Sequence, residues 1–247
     1  ELRRVLFRSF PVSILLDGSL TKIERDRIFV IYIIAFFVIF FWAAYEQAGA
    51  SLTLFAAEQT DRTILGWEMP ASWIQSFNPF FVVILAAIMP SVWGALNKRG
   101  MEPASPTKQA IGLLLLSLGY LVICFGVKDV QPGVKVSLIW LTGLYFIHTM
   151  GEIALSPIGL SMVNKLTPVR FASLMMGIWY LSTSTANKFA GTLGGLYPED
   201  GKVKTLLGFR IETMFDFFMV FVIMSGVASL ILFLLSKKLQ KMMHGVE

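Results

Sequence analysis

Three polar side chains recur at every fourth residue inside an otherwise apolar stretch, IHTMGEIALSPIGLS, which covers residues 147–161. They are His148, Glu152 and Ser156, and at helical spacing they share one face. A carboxylate inside a bilayer costs about 3 kcal/mol on insertion scales, so it normally has a partner or a function. The pattern therefore indicates a functional carboxylate at Glu152. His148 is either a proton relay to Glu152 or a buried neutral imidazole with a hydrogen bond.

Other apolar stretches also carry isolated polar or indole groups. FFWAAYEQAGAS contains Glu46, IQSFNPFF contains Asn78, and MMGIWYLSTSTANKFAG contains Trp179. Hydroxyl and amide groups in membrane helices often only join neighbouring helices, so Asn78 is either a packing contact or a ligand contact. Trp179 lies about ten residues into its segment, roughly 15 Å at 1.5 Å per residue. That depth favours a functional role over an anchor at the membrane interface.

The composition indicates a membrane protein. The chain has 247 residues, of which 55% are hydrophobic and 15% charged, and its mean hydropathy is +0.69. A typical soluble domain has about 25% charged residues. Long apolar blocks predict six membrane spans, because about 20 apolar residues suffice to cross the hydrocarbon. The predicted fold is an all-α polytopic membrane protein with spans at 28–56, 71–96, 108–127, 135–163, 170–197 and 211–236.

The basic residues predict an orientation. The net charge is +5, but no basic stripe interleaved with aromatic residues indicates a nucleic-acid partner. The loops on one side carry eleven Lys or Arg residues and those on the other side six, which predicts that both termini are cytoplasmic. The larger group is Lys22, Arg25, Arg27, Lys98, Arg99, Lys108, Lys165, Arg170, Lys237, Lys238 and Lys241; the smaller is Arg62, Lys128, Lys135, Lys202, Lys204 and Arg210.

Cysteine and histidine usage argues against an enzyme. The single Cys124 lies in an apolar run, so no disulfide framework is expected. The two histidines, His148 and His244, are far apart, and the sequence contains no H-E-x-x-H motif. We therefore expect no metal site, no cofactor and no catalytic residues.

The first nine residues, ELRRVLFRS, resemble one translated frame of a sequencing adapter. The alternative is a basic tail next to the membrane. We expect residues 1–9 to be an artefact and natural sequence to lie upstream of Phe10. The predicted organisation is then a cytoplasmic linker at 10–27, a transmembrane bundle at 28–236 and a cytoplasmic tail at 237–247.

Four motifs in order resemble one known family. FFWAAYEQAGASL, QSFNP, GEIALSPIGLS followed by NKLTP, and MMGIWYLSTSTANKFAG are similar to the C-terminal half of the proton-dependent oligopeptide transporters, the POT/PTR family of the major facilitator superfamily. The resemblance extends over nearly all of residues 21–240. It implies a twelve-helix fold of two six-helix bundles. This chain would supply helices seven to twelve, and an N-terminal six-helix bundle would be its partner.

The resemblance also implies roles for individual residues. Glu152 matches the acid that contacts the amino terminus of the peptide, and Asn78 matches a polar peptide contact. Trp179 matches an aromatic residue that lines the side-chain pocket. Glu46 matches an acid that pairs with an arginine of the first helix and closes the outer gate. Ser156 and Gln47 are weaker candidates on the same faces.

The implied function is proton-coupled symport of di- and tripeptides across the inner membrane of a cell, with the proton as coupling ion. A desolvated carboxylate that loses its cationic partner takes up a proton, which would couple the gradient to movement of the two bundles. The alternatives are a symporter of the same family for another small solute, such as nitrate, and a non-transporting membrane scaffold. Glu152 favours an amine-bearing substrate, because an unprotonated carboxylate repels an anion.

Overall fold

The computed structural model describes residues 14–15, 17–128, 130, 133–198 and 202–246. The expected artefact at residues 1–9 lies outside the described residues, as does part of the expected linker at 10–27. The helices are α1 (Lys22–Tyr45), α2 (Ser51–Glu58), α3 (Phe77–Lys98), α4 (Ser105–Val127), α5 (Leu138–Leu166), α6 (Ala172–Gly194) and α7 (Met214–Met242). Short 3₁₀ helices cover Glu46–Gly49, Ala71–Ser76 and Val169–Phe171. The strands are β1 (Thr60–Asp61), β2 (Thr63–Ile64), β3 (Trp67–Glu68), β4 (Val136–Ser137), β5 (Lys204–Leu206) and β6 (Phe209–Ile211).

Two of the long helices begin with a capping box, which satisfies backbone groups where the chain enters the apolar segment. At the start of α1, the Thr21 hydroxyl accepts from the Glu24 amide at 3.2 Å and the Glu24 carboxylate accepts from the Thr21 amide at 2.8 Å. Thr213 and Asp216 repeat this arrangement at α7, at 3.1 and 2.9 Å. The N-terminal starts of these two helices are therefore set by the local sequence.

Five segments are long and apolar enough to cross a membrane: Lys22–Glu58, Ala71–Lys98, Ser105–Val127, Leu138–Leu166 and Met214–Met242. The sixth long helix, α6, has 23 residues and is long enough to span, but Ser, Thr, Asn and Lys lower its hydropathy. The first segment is broken by the 3₁₀ turn after α1. The last helix runs to Met242, so the first six residues of the expected tail are helical.

The helices form one bundle in which α4 occupies a central position. It packs extensively against α5 and α7, while α1 packs against α6 and α7. The Tyr120 side chain of α4 is fully buried, and its hydroxyl donates to the Ala44 carbonyl of α1 at 2.7 Å. Helix α3 packs mainly against α5 and leaves many apolar side chains exposed. An exposed apolar face is typical of a helix that meets lipid or another protein element.

The connections divide between two faces of the bundle. On one face, β1 pairs in parallel with β4, and two antiparallel hairpins pair β2 with β3 and β5 with β6. On the opposite face, the start of α1 meets the end of α7, where Asp26 contacts the His244 imidazole at 2.8 Å. We call these the hairpin face and the terminal face.

The seam between α4 and α5 is close because glycines repeat at every seventh position of α4, at 112, 119 and 126. A Cβ atom on Gly112 would lie 2.8 Å from Leu155 Cβ, and one on Gly119 would overlap the His148 imidazole. Side chains of α5 thus fill the space that the glycines leave.

Candidate functional site

Glu152 lies at the junction of α1, α3 and α5, and three polar side chains surround it. The Tyr45 hydroxyl at the end of α1 donates to Glu152 Oε2 at 2.5 Å. The Asn78 amide in the first turn of α3 donates to the same oxygen at 2.9 Å and contacts the Tyr45 hydroxyl. Asn78 also reaches Thr149 Oγ1 at 3.2 Å. Glu152, Asn78 and Tyr45 are all half-buried. We call Glu152, Asn78, Tyr45 and Thr149 the carboxylate cluster.

The cluster leaves one carboxylate oxygen available. The Tyr45 and Asn78 donors converge on Oε2, and within the described chain neither a hydrogen bond to Glu152 Oε1 nor an ion pair of Glu152 is found. Neutral donors hold a carboxylate in place without neutralising it. The arrangement can therefore bind a cationic group of a ligand or a proton at Oε1.

The sequence identified Glu152 and Asn78 but missed two members of the cluster. Tyr45 directly precedes Glu46 in a stretch that was recognised for its acid. Thr149 is three residues before Glu152, a spacing that places both on one helix face. The Thr149 hydroxyl donates to the Tyr145 carbonyl at 2.7 Å, so it is free to accept from Asn78. The three-residue spacing between Thr149 and Glu152 is the sequence signal that could have identified Thr149.

His148 is a buried neighbour of the cluster. Its Nε2 lies 3.1 Å from the Leu116 carbonyl, its ring centroid lies 4.7 Å from that of Tyr120, and 3% of the residue is exposed. Within the described residues no hydrogen bond joins the imidazole to Glu152. This geometry favours the interpretation of His148 as a hydrogen-bonded buried histidine over that of a relay.

Glu46 and Gln47 are adjacent in the sequence but lie in different surroundings. Glu46 is exposed, and its carboxylate has neither a hydrogen bond nor an ion pair in the described part of the chain. Gln47 is fully buried and donates to the Ala43 and Ala190 carbonyls at 3.1 and 3.0 Å, while it accepts from Ser51 at 2.7 Å. Gln47 therefore joins α1 to α6 within the bundle, and it is a packing residue here.

Trp179 and Ser156 are not hydrogen-bonded to Glu152 in the described structure. Trp179 on α6 is 6% exposed and packs at Gly159, where an added Cβ would lie 2.6 Å from Trp179 Cη2. Ser156 is half-buried next to Pro157, which interrupts the hydrogen-bond ladder of α5. Near this proline, the Gln109 amide of α4 donates to the Leu155 carbonyl at 2.8 Å. The ligand contacts expected of Trp179 and Ser156 stay predictions.

Comparison with known proteins identifies the family. The family profile described as "PTR2: POT family" matches residues 18–207. The chain belongs to the POT family. The resemblance found in the sequence is therefore confirmed, and so is the polytopic all-α membrane fold.

Curated POT family relatives are longer than this chain. It is 37% identical over 185 residues to the peptide transporter YePEPT of Yersinia enterocolitica, covering 74% of this chain and 36% of the relative. It is 30% identical over 218 residues to dipeptide and tripeptide permease A of Escherichia coli, covering 88% and 43%. The chain thus spans less than half the length of these relatives.

Solved POT family structures share the fold. The crystal structure of peptide transporter POT in complex with sulfate aligns with a TM-score of 0.84 and 29% identity, over 99% of this chain and 46% of that one. A POT family transporter in complex with 5-aminolevulinic acid aligns with a TM-score of 0.78 and 27% identity, over 95% and 47%. Each alignment covers almost the whole of this bundle.

Proposed function

We propose that the chain is the C-terminal six-helix bundle of a proton-coupled symporter of di- and tripeptides. The observation that carries the proposal is Glu152, held through Oε2 by Tyr45 and Asn78 and without a cationic side-chain partner among the described residues. Relatives named as peptide transporters support the substrate class. The proposed setting is the inner membrane, with the terminal face cytoplasmic.

The substrate would bind through its ammonium group. A zwitterionic peptide in a low-dielectric cavity needs an anion for its amino terminus and a cation for its carboxylate. Glu152 Oε1 offers the anion. The cation would come from an N-terminal bundle, since the carboxylate cluster of this bundle contains no Lys or Arg. The relative bound to 5-aminolevulinic acid, a ligand with an amino group, is consistent with recognition of an amine.

Proton coupling would use the same carboxylate. A proton would bind at Oε1 when no ammonium group occupies that oxygen. Ammonium and proton would then compete for one site. Glu46, which is exposed and without a hydrogen-bonding partner here, would pair with a cation of the N-terminal bundle at the outer gate. A nitrate carrier is a weaker alternative, because its substrate would be repelled by an ionised Glu152.

The decisive experiment is Glu152→Gln in the full-length transporter, reconstituted into vesicles under an imposed proton gradient. We expect loss of gradient-driven accumulation of a labelled dipeptide with normal membrane insertion, because the neutral amide can neither pair with the ammonium nor carry the proton. Glu212→Gln, an exposed acid paired with Arg210 at 2.7 Å, is the matched control. Accumulation by Glu152→Gln at the level of this control would disprove the assignment.

Glu46→Gln tests the gating role separately. We expect slower turnover with little change in peptide binding, because Glu46 lies outside the carboxylate cluster. Comparing dipeptide binding with gradient-driven uptake distinguishes the two effects. Unchanged turnover would remove Glu46 from the coupling scheme.

A further inference from the structure

The two hairpins of the hairpin face are copies of one pattern. Residues 63–68 read TILGWE and residues 205–210 read TLLGFR. In both, a Thr-aliphatic pair leads into Leu-Gly, and an aromatic residue follows. The pairing also agrees: Ile64 lies opposite Trp67, and Leu206 lies opposite Phe209. The hairpins follow different helices, α2 and α6, so the repetition is not a consequence of one local packing contact.

Each turn has an unusual residue at its tip. Leu65 and Gly66 have φ of 51° and 83°, and Leu207 and Gly208 have φ of 49° and 87°. Positive φ at both central residues is the type I′ turn, which favours Asn or Asp before Gly. Leucine is disfavoured in the left-handed region. Leu65 and Leu207 are nonetheless fully exposed, at 103% and 102%. In water, Asn would suit both the turn and the solvent better than Leu.

Further apolar side chains flank the first tip. Ile64 and Trp67 are 45% and 51% exposed, and Trp67 packs against Trp73, with ring centroids 5.4 Å apart. Phe209 takes the place of Trp67 at the second tip and is 40% exposed. Leu, Ile, Phe and Trp are residues that partition into the membrane interface.

Charged groups lie at the bases of the hairpins. Arg62 pairs with Glu68 at 2.7 Å and contacts the Met69 carbonyl, and Arg210 pairs with Glu212 at 2.7 Å. Both hairpins connect membrane spans on the same face of the bundle. Each hairpin therefore combines an apolar tip with a paired arginine within a few residues of a spanning helix.

We propose that the two Leu-Gly tips insert into the headgroup region of the bilayer leaflet at the hairpin face. One shared lipid environment accounts for two matching tips, whereas docking on protein would need two matching pockets. The turn residues lie beyond the paired strands, so their backbone groups need water or headgroups as partners. This requirement limits insertion to the interface and excludes the hydrocarbon. The tips would fix the depth at which the ends of α2 and α6 lie.

The test places a fluorophore on single cysteines in the full-length transporter in phosphatidylcholine vesicles. Leu65→Cys and Leu207→Cys report on the tips, and the exposed Thr63→Cys and Thr205→Cys report on the bases. The native chain, whose Cys124 is buried, gives the background labelling. We expect lipid brominated near the top of its acyl chains to quench tip labels more than base labels, and aqueous iodide to show the reverse order.

The other outcomes overturn the proposal. Iodide quenching at the tips as strong as at the bases would place the tips in water. Protection from both quenchers would show that protein covers them. A second pair of variants tests the leucine itself: a label on Phe209→Cys should lose bromolipid quenching when Leu207→Asn is added, since Asn preserves the turn but removes the apolar tip. Unchanged quenching would refute the role of Leu207.

Discussion

Two neighbouring polar groups on α5 have opposite surroundings. His148 is enclosed in the glycine seam with α4, where its Nε2 contacts the Leu116 carbonyl. Glu152, one turn later, is half-buried and is held by Tyr45 and Asn78 from α1 and α3. On the closed side the His148 imidazole is hydrogen-bonded within the bundle, whereas on the open side Glu152 Oε1 has no partner among the described residues. The surroundings of a polar residue in a span thus depend on which neighbouring helices it faces.

Gly119→Ala should disrupt the packing of α4 against α5 on the closed side, and we expect it to have the largest effect on stability. The new methyl group would overlap the His148 imidazole in a packed seam. Overpacking of a core costs about 1–3 kcal/mol. We expect a clearly lower midpoint of thermal unfolding in lipid nanodiscs.

Gly177→Ala on α6 is the matched control, because a Cβ at that position has no neighbour within 4 Å. Equal midpoints for the two variants would contradict a close seam. Adding His148→Ala to Gly119→Ala should recover part of the loss, as expected for residues that couple directly.

Tyr45→Phe tests the open side, around Glu152. Its effect on the unfolding midpoint should be smaller than that of Gly119→Ala. It removes the hydroxyl that donates to Glu152 but retains the ring, which stacks on Phe41 with centroids 5.5 Å apart. A hydrogen bond to a charged group contributes about 1.5–3 kcal/mol, and about 1.4 kcal/mol corresponds to tenfold. We expect gradient-driven dipeptide uptake to fall about tenfold or more, with a nearly unchanged unfolding midpoint.

The exposed Tyr180 provides the control for this change. Tyr180→Phe removes the same hydroxyl from a side chain that is 59% exposed. Uptake by Tyr45→Phe that matches uptake by Tyr180→Phe would show that the hydroxyl does not position Glu152.

The smallest effect is expected outside the membrane, in the connection between α3 and α4. Lys108, followed by Asn97, holds the pKa of Glu102 below its usual 4.5 by hydrogen bonding. A lowered folded-state pKa contributes stability above pH 4.5, and this contribution is lost as the pH falls through the folded-state value. Since Glu102 is partly exposed, we expect at most about 1 kcal/mol.

This prediction is checked by unfolding midpoints measured from pH 6 down to the acid limit. Glu102→Gln should reduce the acid-induced decrease and lower the midpoint slightly at pH 6. An identical pH profile for both proteins would show that the pair contributes nothing to stability.

Local patterns in the sequence were sufficient for the fold class and for part of the site. Long apolar blocks predict spans because hydrocarbon requires about 20 apolar residues, and Pro and Gly mark the connections. Glu152 was recognisable because an acid in such a block is costly without a function. Asn78 was identified as a candidate, but its contact with Glu152, 74 residues away, was not predictable from spacing.

Only the tertiary structure decided which polar residues meet. Adjacent Glu46 and Gln47 differ because the 3₁₀ turn after α1 leaves the Glu46 side chain exposed and places Gln47 against α6. Trp179 is buried at Gly159 because α6 packs against α5 there, a contact between distant segments. Helical periodicity tells which residues share a face, but the partner of that face depends on interhelical packing. The sequence by itself determined the membrane class, the family and the candidate carboxylate Glu152. The packing of the helices decided that Tyr45 and Asn78 hydrogen-bond to Glu152 and that His148 is buried between α4 and α5.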